Sequence, residues 1–141
     1  MFEQQIVNGR YRIIAELAAG GMGVTYRAWD KISARPVVVK VPNRSCMNDP
    51  VLVKRFDREI ELLLNCSHPS TVPILDRGHF QHVPYVVMRF LPGGSLADRQ
   101  GLNTLNESRP SSPSMLHCWL PKIALALGFL HKNNVVHRDV K

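Results

Sequence analysis

No stretch of this 141-residue chain approaches the roughly 20 consecutive apolar residues that a membrane-spanning helix needs. Met1-Phe2-Glu3-Gln4-Gln5 has no basic head followed by an apolar run, so no secretory signal is expected. Cysteine is scarce and odd in number. Cys46, Cys66 and Cys118 stand far apart, which argues against a disulfide frame and for reduced thiols in a cytoplasmic protein. Cys66/His68 and His79/His82 are only pairs, without the four-ligand spacing of a metal site. No Gly-Lys-Ser/Thr follows the glycine cluster near residue 20, which excludes a P-loop. Aromatics make up 7% of the chain, with no stacking platform and no basic helix, so nucleic-acid binding finds little support. No internal repeat is visible.

What is present is globular in character. Apolar residues account for 45% and charged residues for 21%, close to the averages for folded domains, which excludes a disordered or collagen-like chain. The length suits about one domain. Eighteen Lys and Arg against 11 Asp and Glu give a net charge of +7. Such a charge favours phosphates, acidic proteins or other anionic partners, and equally fits a solvated basic surface.

The chain divides into two parts. Residues 10–41 read as three antiparallel strands, about 11–17, 24–29 and 37–41, joined by short turns. Asp49-Pro50 has the form of a helix start, a capping Asp followed by Pro at the first helical position, and that helix is expected to run to about Asn65. Two more strands are expected near 71–76 and 85–90, before Pro92-Gly93-Gly94 breaks the chain. Residues 99–114, rich in Asn, Ser, Pro and Gly, read as a flexible loop. Leu116, Leu120, Ile123, Leu127 and Leu130 recur at helical spacing, Pro121 either starting or kinking that helix. Asn133-Asn134 suits a left-handed helix end, and Val135-Val136-His137-Arg138-Asp139 reads as extended.

Four places carry chemistry. Gly20, Gly21 and Gly23 lie between two strand-like runs, where bare backbone can turn its N–H groups toward a phosphate. Taken alone, the cluster fits an ordinary glycine-rich hairpin better. Lys40 ends a run of valines and shares a strand face with Val38, while Val37, Val39 and Val41 share the other. It either marks an exposed strand edge or needs an anion, since buried lysines are rare unless paired. Leu52, Phe56, Glu59 and Leu63 recur by four, three and four, which sets Glu59 on the apolar stripe of its helix, a costly position without a cation. A Lys40–Glu59 pair meets both needs, while Asp57 and Glu61 point elsewhere and read as solvated. His137-Arg138-Asp139-Val140-Lys141 would alone be a short charged stretch. The order of the four is what is informative.

In that order the sequence resembles the eukaryotic-type serine/threonine protein kinases of bacteria, over residues 10–141. The resemblance implies an α+β fold: a kinase-like amino-terminal lobe over 10–91, with an antiparallel sheet of about five strands and one helix. It implies only the first helices of the carboxy-terminal lobe over 92–141. Leu17-Ala18-Ala19-Gly20-Gly21-Met22-Gly23-Val24-Thr25 is similar to the glycine-rich loop over the ATP phosphates, and Val37-Val38-Val39-Lys40 to the strand bearing the phosphate-holding lysine. Glu59 resembles its helix partner. Met88 falls at the gatekeeper position, and Arg89-Phe90-Leu91 resembles the hinge whose backbone pairs with adenine. His137-Arg138-Asp139 resembles the catalytic loop, with Asp139 as the base for the substrate hydroxyl; Lys141 marks serine/threonine specificity.

Three positions depart from the family pattern. Ala18 stands where the first loop glycine is expected, Val38 where an alanine lines the adenine pocket, and Thr25 where a valine follows the loop. The larger departure is that the catalytic-loop asparagine and the Asp-Phe-Gly that hold magnesium do not follow Lys141. The resemblance thus implies ATP and a protein substrate as partners, with magnesium ligands outside these 141 residues. The isolated chain is expected to be inactive unless a separate chain supplies the rest. The alternative is a catalytically inactive nucleotide-binding or interaction module.

Overall fold

Alternation within a strand decides the centre of this fold. The structure, a computed structural model, describes residues 5–21, 23–94 and 113–136. Among these the elements are β1 (Ile6–Val7), β2 (Tyr11–Ala19), β3 (Gly23–Asp30), β4 (Arg35–Pro42), α1 (Arg44–Met47), α2 (Pro50–Asn65), β5 (Ile74–Phe80), β6 (Val83–Arg89) and α3 (Pro113–Lys132). In β4, Val37, Val39 and Val41 are buried, whereas Val38 and Lys40 on the opposite face are partly exposed. The period-2 pattern gives the strand one core face and one free to bear chemistry.

The chain forms two compact units, residues 1–67 with 72–90, and residues 68–71 with 91–141. The first holds a six-stranded antiparallel sheet in the order β1-β2-β3-β4-β6-β5. The sequence reading anticipates five of these strands; the sixth, β1, comes from a turn it overlooked. Asn8 and Gly9 have φ of 48° and 68°, and the Arg10 N–H donates to the Val7 carbonyl at 3.1 Å. Two left-handed residues make a mirror-image turn that matches the twist of a hairpin, and Asn-Gly is its strongest sequence signal. A second such turn joins β5 to β6 through Gln81 and His82, with φ of 51° and 65°, and has no glycine to announce it. β5 starts at Ile74 rather than near 71, because Thr71 closes a turn on His68 and Pro73 intervenes.

β2 and β5 are not neighbours in the sheet, yet their side chains meet. Arg10 binds Asp30 through two 2.8 Å contacts and reaches Asp76 of β5 at 3.3 Å. Tyr11 donates its hydroxyl proton to the same Asp76 carboxylate. The Asn8 side-chain amide donates to the Tyr85 hydroxyl at 2.8 Å. These bonds curl the sheet around an inner core that includes Tyr11, Ile13, Tyr26, Val39 and Val87.

α2 covers the other face. The Val51 N–H donates to the Asp49 carboxylate at 2.8 Å, so Asp49 caps the helix as expected, with Pro50 as its first residue. Among its described side chains Phe56 and Ile60 are buried, packed with Cys46 and Val86, and Leu52 is partly buried against them; the Leu63 side chain of the expected stripe lies outside the described ones. The expected stripe had Glu59 where Ile60 lies. Glu59 instead borders the apolar stripe with its side chain 42% exposed, so its carboxylate stays hydrated while reaching the sheet. α1 was not foreseen: the Asn43 side chain accepts from the Cys46 N–H and starts a four-residue helix.

In the second unit α3 begins at Pro113 and runs through Pro121, where the sequence reading leaves a start or a kink open. It ends as expected on a left-handed residue. Asn134 has φ 59°, the Asn134 N–H donates to the His131 carbonyl, and the Val135 N–H donates to that of Leu130, the two bonds of a Schellman cap. Ala126 and Leu130 are buried and the Phe129 ring lies 5.3 Å from that of His68, but Leu120 and Ile123 of the expected stripe are exposed. Val135 and Val136 form no strand. The loop expected over 99–114 falls, up to residue 112, outside the described residues.

Asp30 is 1% exposed, and the Arg10 guanidinium beside it holds its carboxyl well below the usual carboxylate range. A carboxyl depressed in the folded state stabilises fully above its unfolded value of about 3.9, and that stability drains as pH falls through the lower folded value. Asp30→Asn is therefore expected to cost about 3 kcal/mol at pH 7 and to flatten the loss of stability below about pH 4. Urea unfolding at neutral pH and along an acid series checks both; an unchanged acid slope would contradict the assignment.

Candidate nucleotide site

The hairpin between β2 and β3 is built from small residues. Ala18 pairs with Thr25 and Ala19 with Val24, and the Gly20 N–H donates to the Gly23 carbonyl at 2.8 Å. The Thr25 hydroxyl donates to the Ala18 carbonyl at 3.0 Å, so Thr25 clips the two strands together across the base of the loop. Ala18 lies in β2 just past an irregularity in register. Its backbone is that of a strand, and no glycine is needed to reach it. Only Gly23 is demanded by the protein's own packing: a Cβ there would meet the Val41 carbonyl oxygen at 2.6 Å. A Cβ on Gly21 would meet nothing within 4 Å, and one on Gly20 would come no closer than 3.8 Å to the Gly23 carbonyl. Gly20 and Gly21 are thus bare backbone with room where a side chain would stand.

Lys40 lies beside Gly23, where the loop enters β3. It pairs with Thr25 on one side and Val86 on the other. Its Cε would stand 3.6 Å from a Cβ on Gly23. Its ammonium meets Glu59 Oε1 of α2 at 3.3 Å and lies 5.8 Å from the centre of the Phe56 ring. With the Lys40 side chain 29% exposed and that of Glu59 42% exposed, the pair is open to water. A pair so hydrated contributes little to stability, about 0–1 kcal/mol. What it does is aim an ammonium at the space beside the glycine hairpin.

The remaining expected residues distribute along the same sheet. Val38 pairs with Arg27 and Met88, and Met88 packs partly buried against the Phe56–Ile60 cluster. Arg89 ends β6 exposed, its N–H donating to the Pro73 carbonyl at 3.3 Å. Leu17 is 48% exposed in β2; Leu91 is exposed and belongs to the second unit. Met22, Asp139 and Lys141 lie outside the described residues. Two groups escaped the sequence reading. One is the Phe56 ring beside Lys40. The other is Asn43, whose amide donates to the carbonyls of Gly20 and Gly21 at 3.0 and 2.8 Å. The only signal for either is position, Asn43 lying three residues past Lys40 and Phe56 three before Glu59.

Comparison with known proteins identifies the family. Residues 11–141 match the model of the protein kinase domain. The chain belongs to the protein kinase family. The kinase sequence is 31% identical over 135 residues to the serine/threonine-protein kinase PrkC of Bacillus subtilis, a match covering 96% of this chain and 20% of that protein. It is 33% identical over 138 residues to the probable serine/threonine-protein kinase PknB of Lactococcus lactis, covering 97% and 21%. The chain therefore spans about a fifth of the length of these curated relatives. Among solved structures, the PknI kinase domain of Mycobacterium tuberculosis matches with a TM-score of 0.75 at 22% identity, over 100% of this chain and 55% of that one. At that identity the likeness concerns the fold, an antiparallel kinase sheet with its helix.

The different demands on the glycines of this kinase hairpin are testable. Gly23→Ala, driving a Cβ into the Val41 carbonyl, is expected to cost about 1–3 kcal/mol. Gly21→Ala, in open space, is expected to change stability by no more than about 0.5–1 kcal/mol. Thermal and denaturant unfolding of both variants measures the contrast, and equal losses would contradict it.

Proposed function

We propose that this chain forms the nucleotide-holding part of a serine/threonine protein kinase that transfers the γ-phosphate of ATP to protein hydroxyls. The observation that carries the reading is the Lys40–Glu59 pair beside a glycine hairpin. ATP phosphates fit this setting on two counts. No side chain stands on Gly20 or Gly21 to keep a ligand from the backbone, and Lys40, fixed by Glu59 at 3.3 Å, offers a partly exposed positive charge in the neighbouring strand. In this reading Lys40 neutralises the α- and β-phosphates, with Glu59 and the Phe56 ring of α2 beside its ammonium. Val38 and Met88 form an apolar floor for the base, and the assignment of Arg89-Phe90-Leu91 to the adenine-pairing hinge rests on the sequence motif. Asp139 accepts the proton of the substrate hydroxyl and Lys141 accompanies it, roles that rest on the His-Arg-Asp motif. We place these residues in the cytoplasm, a setting supported by the free thiols of Cys46, Cys66 and Cys118.

Magnesium accompanies ATP in this family. Among the described residues no three of His, Cys, Asp or Glu converge on one point, and the Glu59 carboxylate beside Lys40 is already engaged. These residues do not fit a magnesium site, and no part of the chemistry assigned to them runs through a metal. The 141 residues contain no Asp-Phe-Gly. We therefore infer that this polypeptide by itself binds nucleotide but transfers phosphate poorly, and that a partner bringing the metal ligands would restore transfer.

Two measurements bear on this. Lys40→Met removes a charged hydrogen-bond donor worth about 1.5–3 kcal/mol, so ATP affinity by calorimetry is expected to fall about 10- to 100-fold with the melting curve nearly unchanged. Equal affinity in a folded variant would refute the site. Labelled γ-phosphate transfer to a basic protein, with Asp139→Asn as control, is expected to be negligible for the 141-residue chain. Robust transfer lost in the control would overturn the inference of inactivity and leave the nucleotide site standing.

A further inference from the structure

The glycine hairpin is held at Gly20 and Gly21 by the side chain of Asn43, the residue between β4 and α1. Asn43 uses its whole amide. Its Oδ1 accepts from the Cys46 N–H at 2.8 Å, and its Nδ2 donates to the Gly20 carbonyl at 3.0 Å and the Gly21 carbonyl at 2.8 Å. One residue thus caps α1 and grips two successive peptide units of the loop. Gly20 and Gly21 have no side chain to fix their backbone, and a Cβ on either would meet nothing closer than 3.8 Å; besides the bonds from Asn43, the Gly20 N–H donates to the Gly23 carbonyl at 2.8 Å. Glycine has the widest choice of backbone angles, so an outside tether has the greatest effect there.

The tether also has a direction. A trans peptide carries its C=O and N–H on opposite sides. With the Gly20 carbonyl turned onto Asn43, the N–H of Gly21 points away from Asn43. β4 and the residue that follows it would then set both charged and neutral contributions to the phosphate site, Lys40 through its ammonium and Asn43 through the orientation of loop peptides.

We propose that Asn43 is a positioning residue for the glycine loop, holding its peptides in the orientation that receives the ATP phosphates and so setting affinity for the triphosphate but not for the nucleoside. This inference rests on the nucleotide reading above. Asn43 touches no phosphate itself; it acts through Gly20 and Gly21.

The decisive variant is Asn43→Ser in the 141-residue chain. Serine caps a helix about as well as asparagine but is too short to reach the loop carbonyls, so the cap is kept and the tether lost. Asn43→Ala, which loses both, is the companion. Two readouts separate positioning from mere stability. The first is amide hydrogen exchange without nucleotide at Gly20, whose N–H donates to the Gly23 carbonyl at 2.8 Å, expected to accelerate in Asn43→Ser while the β4 and β6 amides stay protected. The second is calorimetric affinity for ATP and for adenosine. Two neutral hydrogen bonds lost predict ATP binding weaker by about tenfold and adenosine binding unchanged. Unaltered loop exchange in Asn43→Ser would overturn the tether. A loosened loop with ATP and adenosine affinities both unchanged, or falling together, would overturn the positioning role. A loosened loop in a parent chain that binds no ATP would support the tether and refute the nucleotide reading.

Discussion

Asp30 is a carboxylate with 1% of its surface exposed, and its burial is tolerable only because Arg10 meets both of its oxygens at 2.8 Å. The remaining capacity of that carboxylate is filled by the Ile32 N–H at 3.0 Å and the Ser33 hydroxyl at 2.6 Å, which shape the turn into β4. The same guanidinium extends to Asp76, and Tyr11 and Asn8 add bonds to β5 and β6. Burial and the bond to Asp76 push the Tyr11 hydroxyl well above its ordinary titration range, which favours its role as a donor. A sheet whose order separates β2 from β5 is closed by these side chains rather than by backbone pairing.

Closure has a consequence for the site. Once the inner face of β4 is committed to the curled core through Val37, Val39 and Val41, Lys40 has no choice but the opposite face. That face is where α2 packs, through Phe56 and Ile60 against Val86. Glu59, next to Ile60 along the helix, is carried to within 3.3 Å of the ammonium. The ion pair is a product of packing on both sides of one strand. Its own contribution to stability is small, which is why it can be reorganised by a bound anion at little cost.

Much of this was legible in the order of residues. Alternating valines ending in lysine identify a strand with two unlike faces. Asp49-Pro50 marks a helix start and Asn133-Asn134 a helix end, because caps are local bonds between residues adjacent in the chain. The kinase resemblance drew on the same locality, a few motifs in a fixed order. The Gln81-His82 turn, by contrast, carries no glycine, and its left-handed residues follow from the pairing of β5 with β6. Gly78 is likewise explained only by its neighbour, since a Cβ there would meet the Tyr85 hydroxyl at 2.8 Å.

The sequence by itself determined the family, the main strands and helices, and the candidacy of Lys40 and Glu59, since each depends on residue type at short separations. Tertiary structure alone decided that Ile60 rather than Glu59 enters the core, that Arg10 binds Asp30 and Asp76 at separations of 20 and 66 residues, and that Asn43 grips a loop 22 and 23 residues before it. These are contacts between groups whose proximity is created by the curl of the sheet. No local pattern encodes them, because many polar residues could fill such roles and only the folded geometry selects which ones meet.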